Sequence, residues 1–592
     1  MMQRCKLFVA ALFLASAASS TAFNNQTLYN PMLPGWHSDP SCVFVPERDN
    51  STFCTSSTFL LTPGLPVHVS KDLANWKLAS HALSRKSQYP EFDQSVAQSD
   101  GIWAATIRYH QGIFYIITIY RNNLLTTGQN VILIFKSKDP YNDEAWSDPV
   151  RYISDYIDPD LFWDDDGTAY VATSGTYLQT INLETGVFGE PRSIWNGSTG
   201  EFLEGPHIYK KDGYYYLLVA EGGSGLNHTV TIARSSDIWG PYEGNPANPI
   251  LTNVGTSEYF QNIGHADLFQ DAKGQWWAVA LAWRSGPDAQ TYPMGRETVL
   301  TAATWEEGEW PVVSPVRGVE NGWYREPSTD IPGRGGYTYE PDVVDFDPES
   351  TIPSHFGYWR WPQQGSYTVS PPGHSGSLQL IPSNASITAG HDDEEAGYIL
   401  ANYTFIGRVQ TDTLFQFSTD ISFDPTVMEE EAGVAVFLNQ LQNIALGIVM
   451  LPVTNSTSNT TLAPHFRFII SGIPSQEKDI PPPHVTPIPH SWLQSPIRLM
   501  IRAENETHYT FSGISSVHPH EAVTLGTAPA TVVSGGVGDF TGSLVGVYAT
   551  TNGGNGSASA YVSRWRYQGL AQAVDHRVFI PSRFPYDMDE AL

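Results

Sequence analysis

Four stretches of the chain carry one pattern of apolar and polar positions. In the runs that begin at Trp103, Asp158, Glu204 and His265, a glycine stands nine residues on (Gly112, Gly167, Gly213, Gly274) and an aromatic residue three further (Tyr115, Tyr170, Tyr216, Trp277). Apolar residues lead toward each glycine, polar ones surround it and apolar ones resume, so each run predicts strand, tight turn and strand. A looser fifth copy begins Asp39-Pro40-Ser41-Cys42-Val43-Phe44, turns around Arg48-Asp49-Asn50 and resumes at Thr52-Phe53-Cys54. Units recurring at spacings of 46 to 64 residues suit a propeller, and five of them predict a five-bladed β-propeller over residues 23–325.

No further copy follows. The sequence turns rich in glycine and proline through Ile331-Pro332-Gly333-Arg334-Gly335-Gly336, which marks residues 326–340 as a linker. Past it, alternation over Leu414–Phe423, Phe466–Ile470, Ile497–Ile501 and Tyr561–Tyr567 predicts strands with one buried face, so residues 341–592 read as a β-sandwich. The fold class is all-β. The second domain carries no legible sugar-binding constellation and is expected to buttress the propeller.

Composition agrees and adds a compartment. With 50 Gly, 42 Pro, 12% aromatic and only 16% charged residues, the 592-residue chain has the punctuation of short strands and excludes disorder and coiled coil. Thirty-two Lys and Arg against 61 Asp and Glu give a formal charge of −29, which repels phosphate backbones and anionic lipid; neither nucleic acid nor a membrane is an expected partner. Arg4 and Lys6 precede an apolar run from Leu7 to Ala18 that is too short to span a bilayer and is followed by small residues. Residues 1–22 therefore read as a signal peptide, and the mature protein as secreted and extracellular. Asn-x-Ser/Thr sequons at Asn25, Asn50, Asn196, Asn227, Asn384, Asn402, Asn455, Asn459, Asn505 and Asn555 suit a secreted glycoprotein. Cys5 leaves with the leader. Cys42 and Cys54 remain, flanking the turn of the first unit, and in an oxidising compartment that even pair predicts a disulfide.

The chemistry lies at the start of each unit. Equivalent positions in propeller blades lie at equivalent radii, so Asp39, Trp103, Asp158, Glu204 and His265 are expected to converge on one pocket near the axis. Three carboxylates, an imidazole and an indole in one repeat phase are poorly explained as packing. Glycosidic hydrolysis needs one carboxylic acid to protonate the leaving oxygen and one carboxylate to activate water or attack. Glu204 is expected to be the acid, because an enclosed pocket and a neighbouring carboxylate both disfavour its anion. Asp158 would supply that neighbouring charge and orient the acid, and Asp39 would be the base. His265 and Arg296 are candidates for hydrogen bonds to sugar hydroxyls, and Trp36 and Trp103 for stacking on a sugar ring. Asp164-Asp165-Asp166 lacks the alternating ligand spacing of a calcium loop and reads as a solvated hairpin tip. No HExxH, GxSxG, Walker A or CxxC motif is present. No cofactor and no metal are called for.

Four segments in order, Pro34-Gly35-Trp36-His37-Ser38-Asp39-Pro40, Ile157-Asp158-Pro159-Asp160-Leu161-Phe162, Leu203-Glu204-Gly205-Pro206-His207 and Gly264-His265-Ala266-Asp267-Leu268, resemble glycoside hydrolase family 43 over residues 30 to about 320. The resemblance implies an inverting mechanism with Asp39 as general base, Glu204 as general acid and Asp158 as the residue that modulates and positions the acid. It also implies His265 on the pocket floor and Arg296 near the substrate. Gly264-His265-Ala266 departs from the Gly-His-Gly common among the family's β-xylosidases, and the Trp36 region with Phe53-Cys54-Thr55-Ser56-Ser57 looks closer to secreted fungal members that include α-L-arabinofuranosidases. The second domain looks like the concanavalin A-like domain that accompanies many of these propellers. The implied activity is exo-acting release of terminal α-L-arabinofuranose or β-D-xylose from plant cell-wall arabinoxylan or its oligosaccharides. An endo-arabinanase and a non-catalytic glycan-binding propeller are the alternatives.

Overall fold

The computed structural model describes residues 27–95, 97–122, 130–321, 328, 330–388, 403–454, 460–473 and 479–583. The expected signal peptide and the sequons at Asn25, Asn402, Asn455 and Asn459 lie outside the described residues; the other six sequon asparagines are all exposed. Among the described residues no helix is long and apolar enough to cross a membrane.

Five antiparallel sheets follow one another along the chain, each running outward from its first strand. Their inner strands are Ser38–Val45, Gly101–His110, Asp160–Trp163, Glu204–Lys211 and Phe260–Gln270, and the second strands begin at Ser51, Ile113, Ala169, Tyr214 and Trp276. These are the five blades that the repeat predicts. Gly112, Gly167, Gly213 and Gly274 sit at the hairpin tips with φ of 83°, 84°, 80° and 75°. A Cβ at any of the four would meet nothing within 4 Å, so the positive φ of the tight turn, and not space, requires glycine there. Apolar side chains fill the spaces between blades in separate clusters, such as Tyr216, Ile232, Ala280 and Val299 between the fourth and fifth. The N-terminal segment closes the ring by pairing Thr27–Tyr29 with Val319–Asn321 beyond the last blade.

The innermost turn of each blade carries a distortion that aims the site. The ladder slips between Ser38 and Ser41, Trp103 and Thr106, Glu204 and His207, and Gly264 and Asp267. Asp39, Asp158 and His265 adopt φ of 52°, 55° and 47°, and Ala104 and Gly205, each one residue after its unit's start, adopt 23° and 53°. Left-handed backbone at a non-glycine residue costs about 1–3 kcal/mol, and a bulge turns a side chain out of the ladder. Repeated at five equivalent places, this geometry directs the first residues of the units toward the axis.

The C-terminal domain is two packed sheets, one of nine strands and one of eight. Their inner faces form a dry core that includes Phe415, Phe417, Leu446, Phe511, Val547 and Trp565. The boundary with the propeller is less clean than composition suggests. Leu61–Thr62, from within the first blade's sequence, pairs with Phe356–Trp359 and becomes the edge strand of the eight-stranded sheet. Residues 335–338 run along the first blade, with Gly335 N donating to Leu78 O at 3.1 Å and Thr338 N to Trp76 O at 3.1 Å. One hydrophobic cluster holds Phe53, Phe59 and Phe114 of the propeller together with Trp359, Phe405 and Phe437 of the sandwich.

Cys42 and Cys54 face each other across the first hairpin and are joined, with Cα atoms 4.1 Å apart. Closing so short a loop stabilises the chain by about 2–3 kcal/mol in the chain-entropy description.

Candidate active site

The axis of the propeller opens into a pocket of about 410 Å³ whose lining includes Asp39, Trp103, Asp158, Glu204, His265 and Arg296. The first residues of five units, far apart in sequence, thus meet as the repeat phase predicts. Phe59, Ala104, Ile157, Ser224 and Phe540 complete the wall.

Asp39 is held ionised. Burial alone would raise its carboxyl, but His265 and Arg296 nearby and a hydrogen bond from Ser57 outweigh burial and lower it. Ser57 Oγ donates to Asp39 Oδ2 at 2.7 Å, while His265 Nδ1 and Arg296 Nη1 each approach Oδ1 to 3.5 Å. Glu204 is pushed the other way, up to about 7, first by burial and then by the charge of Asp158. Asp158 is raised as well, by burial and then by Asp39, while its Oδ2 accepts the Gly205 N–H at 3.0 Å. Each of these neighbouring carboxyls disfavours the other's anion, so a proton is retained to higher pH than an isolated carboxyl would keep it. The same pocket therefore contains a carboxylate that stays charged and a carboxyl that stays protonated, which is what acid–base hydrolysis of a glycoside requires.

Gly205 is fixed by its surroundings. A Cβ there would come within 2.9 Å of the His265 ring, and its φ of 53° is disfavoured for side-chain-bearing residues. Burial lowers the His265 imidazole despite the neighbouring Asp39, so at neutral pH it is an uncharged hydrogen-bonding ring. Arg296 turns into the pocket, where Nη2 donates to Ser224 O at 3.0 Å, whereas the next residue, Glu297, turns away to pair with Arg284 Nε at 2.5 Å and Nη2 at 2.8 Å. Arg296 lies in the bend just before the strand Glu297–Thr304, so the two neighbouring side chains leave the backbone in different directions.

The aromatic wall differs from expectation. Trp103 lines the pocket with its Nε1 donating to Ser99 O at 2.7 Å. Trp36, expected to stack on substrate, does not line it: the ring is 3% exposed and sits behind Phe59, with centroids 6.1 Å apart. The segment that carries it is drawn into the fifth blade by a bridge from Leu33 to Thr298 and by Gly35 N donating to Glu297 Oε1 at 2.6 Å, which leaves Trp36 one layer back. Phe59 and Phe540 take the place assigned to it. They stack with centroids 6.2 Å apart, Trp103 lies 5.7 Å from Phe59 and 6.3 Å from Phe540, and the Arg296 guanidinium lies 4.5 Å from the Phe540 ring. Phe540 belongs to the sandwich. Its loop is docked by Ser543 N donating to Pro293 O at 2.8 Å. The second domain thus supplies a wall of the pocket and is more than a buttress.

Further along the same inner strands, a charged network links the blades. Arg108 of the second blade binds Asp160 of the third through Nε at 2.9 Å, His207 of the fourth through Nη2 at 2.9 Å and Asp267 of the fifth through Nη1 at 2.7 Å. Ser41 of the first blade and Tyr209 of the fourth each donate to Asp267 at 2.7 Å. With every blade represented, this network cross-links the ring. The signal for it was present in the sequence, because Asp160 and Asp267 both stand two residues after the start of their units.

Among the described residues no cluster of three or more His, Cys, Asp or Glu side chains could hold a metal ion. At the hairpin tip of the third blade, Asp164 and Asp165 pair with Lys210 Nζ at 2.5 and 2.7 Å, and Asp164 also accepts from Tyr215 OH at 2.7 Å.

Comparison with known proteins bears on this arrangement. Residues 28–311 match the glycosyl hydrolases family 43, and residues 343–568 match the beta xylosidase C-terminal concanavalin A-like domain. A non-reducing end alpha-L-arabinofuranosidase of Bacteroides ovatus is 33% identical over 559 residues, covering 93% of this chain and 96% of its own. A beta-xylosidase of Bacillus subtilis is 29% identical over 562 residues, covering 89% and 97%. Among solved structures, a GH43 protein from Bacillus licheniformis superposes with a TM-score of 0.77 at 28% identity, over 92% of this chain and all of its own. Both domains of this chain therefore recur together in its relatives, and with the paired carboxyls of its pocket it belongs to glycosyl hydrolases family 43 as a glycoside hydrolase.

Proposed function

We propose that the protein is a secreted, inverting, exo-acting glycosidase that removes terminal pentoses, α-L-arabinofuranose or β-D-xylose, from arabinoxylan or its oligosaccharides. The observation that carries this reading is one pocket that holds Asp39, hydrogen-bonded by Ser57 and flanked by His265 and Arg296, together with Glu204, whose burial beside Asp158 favours its protonated form. Asp39, ionised, takes a proton from water as the water attacks the anomeric carbon. Glu204, protonated, delivers its proton to the leaving oxygen, so one step breaks the glycosidic bond and forms the new C–O bond on the opposite face. Asp158 keeps Glu204 protonated and, through Gly205, fixes the start of its strand. Arg296 and His265 offer N–H groups to sugar hydroxyls, and Trp103, Phe59 and Phe540 offer apolar faces.

Exo action is favoured over an endo-arabinanase because the pocket is small, about 410 Å³, with Phe540 of the second domain as part of its wall, and because the Bacteroides ovatus relative is named as acting at the non-reducing end. A pure glycan-binding propeller is disfavoured, since binding gains nothing from a carboxyl held protonated near neutral pH. The relatives named as arabinofuranosidase and xylosidase support pentose as the glycone. The N-terminal apolar run and the exposed sequons support an extracellular site of action.

Incubation with wheat arabinoxylan, linear arabinan and xylo-oligosaccharides, with product identification, tests the reading. Arabinose or xylose as the first small product supports it. Release of neither, or of oligosaccharides alone, contradicts it.

A further inference from the structure

An exposed aromatic ring stands next to the pocket's wall, two residues before the candidate acid and over the neighbour of pocket-lining Ser224. Phe202, two residues before Glu204, is 68% exposed and holds a φ of 48°. An exposed benzyl group on left-handed backbone is unfavourable twice over, in solvation and in conformation, and such strain persists only where the surroundings enforce it.

Here they do. Glu221, wholly buried, accepts four hydrogen bonds, from Ser198 N at 2.7 Å, Thr199 N at 2.7 Å, Thr199 Oγ1 at 2.5 Å and Thr231 Oγ1 at 2.6 Å, so the loop that leads to Phe202 is anchored to the fourth blade. On either side of the ring the backbone is tied down: Gly222 N donates to Glu201 O at 3.3 Å and Gly175 N donates to Leu203 O at 2.7 Å. Beneath the ring lies Gly223, where a Cβ would sit 3.6 Å from it, and the next residue, Ser224, lines the pocket. The backbone that carries Phe202 is thus held on both sides next to the strand that bears Glu204.

The position has a chemical meaning. If Glu204 is the acid, the leaving oxygen must lie against its carboxyl, and the sugar attached to that oxygen must emerge on the Glu204 side of the pocket. We propose that Phe202 is the stacking platform for the leaving-group sugar, a specificity-determining residue that selects saccharide chains over isolated pentosides. The inference rests on the reading of Glu204 given above. The ring touches neither the reacting carbon nor the proton in flight, so it acts on binding of the leaving unit.

The test is a comparison in the Asp39→Ala protein, with and without Phe202→Ala, of affinity for xylobiose and for arabinofuranosyl-xylobiose, beside xylose and arabinose as single-unit controls. The expected result is about 3- to 10-fold weaker binding of the tighter-binding oligosaccharide, with monosaccharide binding and the melting temperature unchanged and with Phe202→Trp restoring affinity. In the otherwise unaltered enzyme, Phe202→Ala is expected to raise KM for the oligosaccharide by a similar factor and leave kcat nearly constant. Equal oligosaccharide affinity in the two proteins, no oligosaccharide binding in either, or an equal loss for the monosaccharides would overturn the proposal. A native enzyme that releases no pentose would instead count against the proposed function, while the binding comparison still decides the role of Phe202.

Discussion

The propeller and the sandwich are made of the same antiparallel strands, yet they place polarity in opposite ways. The propeller brings five inner strands to a common axis and sets two groups of charges there, Asp39, Asp158, Glu204 and Arg296 in the pocket and Arg108, Asp160 and Asp267 in the network that links the blades. The sandwich keeps its own centre dry, with Phe415, Phe417, Leu446 and Trp565 buried between its sheets, and reaches the site with one ring, Phe540. A radial repeat can afford a polar centre because its stability lies between the blades, whereas a two-layer sandwich has only the one interior. Chemistry and stability are therefore separable in this molecule, and substitutions in the two regions are expected to fail in different ways.

The largest effect is expected at the base. Asp39→Ala removes the proposed base, and kcat/KM is expected to fall by about 10³-fold or more on natural and activated aryl glycosides alike, measured by initial rates. Equal activity on either substrate would break the assignment. Glu204→Ala is expected to cost about 10²–10⁴-fold on natural saccharides, whose leaving groups need the proton, and much less on an aryl glycoside with a good leaving group. Equal losses on both would remove Glu204 from the acid role.

The comparison between regions is sharpened by two phenylalanines of the sandwich. Phe540→Ala is expected to lower kcat/KM by about tenfold by opening the pocket wall, with little change in melting temperature because the ring is only half-buried. Phe417→Ala, in the dry core and wholly buried, is expected to cost about 3–5 kcal/mol of stability and to leave kcat/KM of the folded fraction unaltered. Denaturant melts and kinetics on the same preparations decide between the two patterns. If both variants lose stability and neither loses activity, the sandwich is a buttress after all.

A smaller effect, on pH alone, is expected at Asp158. Glu204 is active when protonated, and its carboxyl sits near 7 partly because Asp158 is beside it. In Asp158→Asn that charge is gone, Glu204 ionises more readily, and the alkaline limb of the kcat/KM profile is expected to move to lower pH. The acid limb, set by protonation of Asp39, lies lower, because His265 and Arg296 hold that group down against burial. An alkaline limb that stays in place or moves upward would show that Asp158 does not act through the charge of the acid.

Much of this was legible in the sequence, and the parts that were not share a cause. Asp39, Trp103, Asp158, Glu204 and His265 were visible because a repeat converts sequence phase into position, so residues up to 226 apart could be placed together without knowing a single contact. The disulfide was visible because its partners face each other across one hairpin. Phe540 carries no such mark: it joins the pocket through the docking of one domain on another, and nothing near it in sequence repeats or alternates in a way that reports this. Trp36 was misplaced for a similar reason. Its nearness to Asp39 in the chain suggested nearness to substrate, but the bridge from Leu33 to Thr298 takes its segment into the fifth blade and leaves Phe59 in front. Leu61–Thr62 likewise pairs outside its own domain, which no local pattern announces.

In the proposed mechanism Asp39 and Glu204 act from opposite faces of the sugar, one on water and one on the leaving oxygen, in a single displacement. Proton NMR of the anomeric signal in the first minutes of hydrolysis of a defined pentoside, before mutarotation, tests it most directly. The account predicts that the first-formed sugar carries the inverted configuration and relaxes afterwards to the equilibrium mixture. A first product with retained configuration would mean that a carboxylate attacks carbon directly, and would contradict the division of labour drawn here.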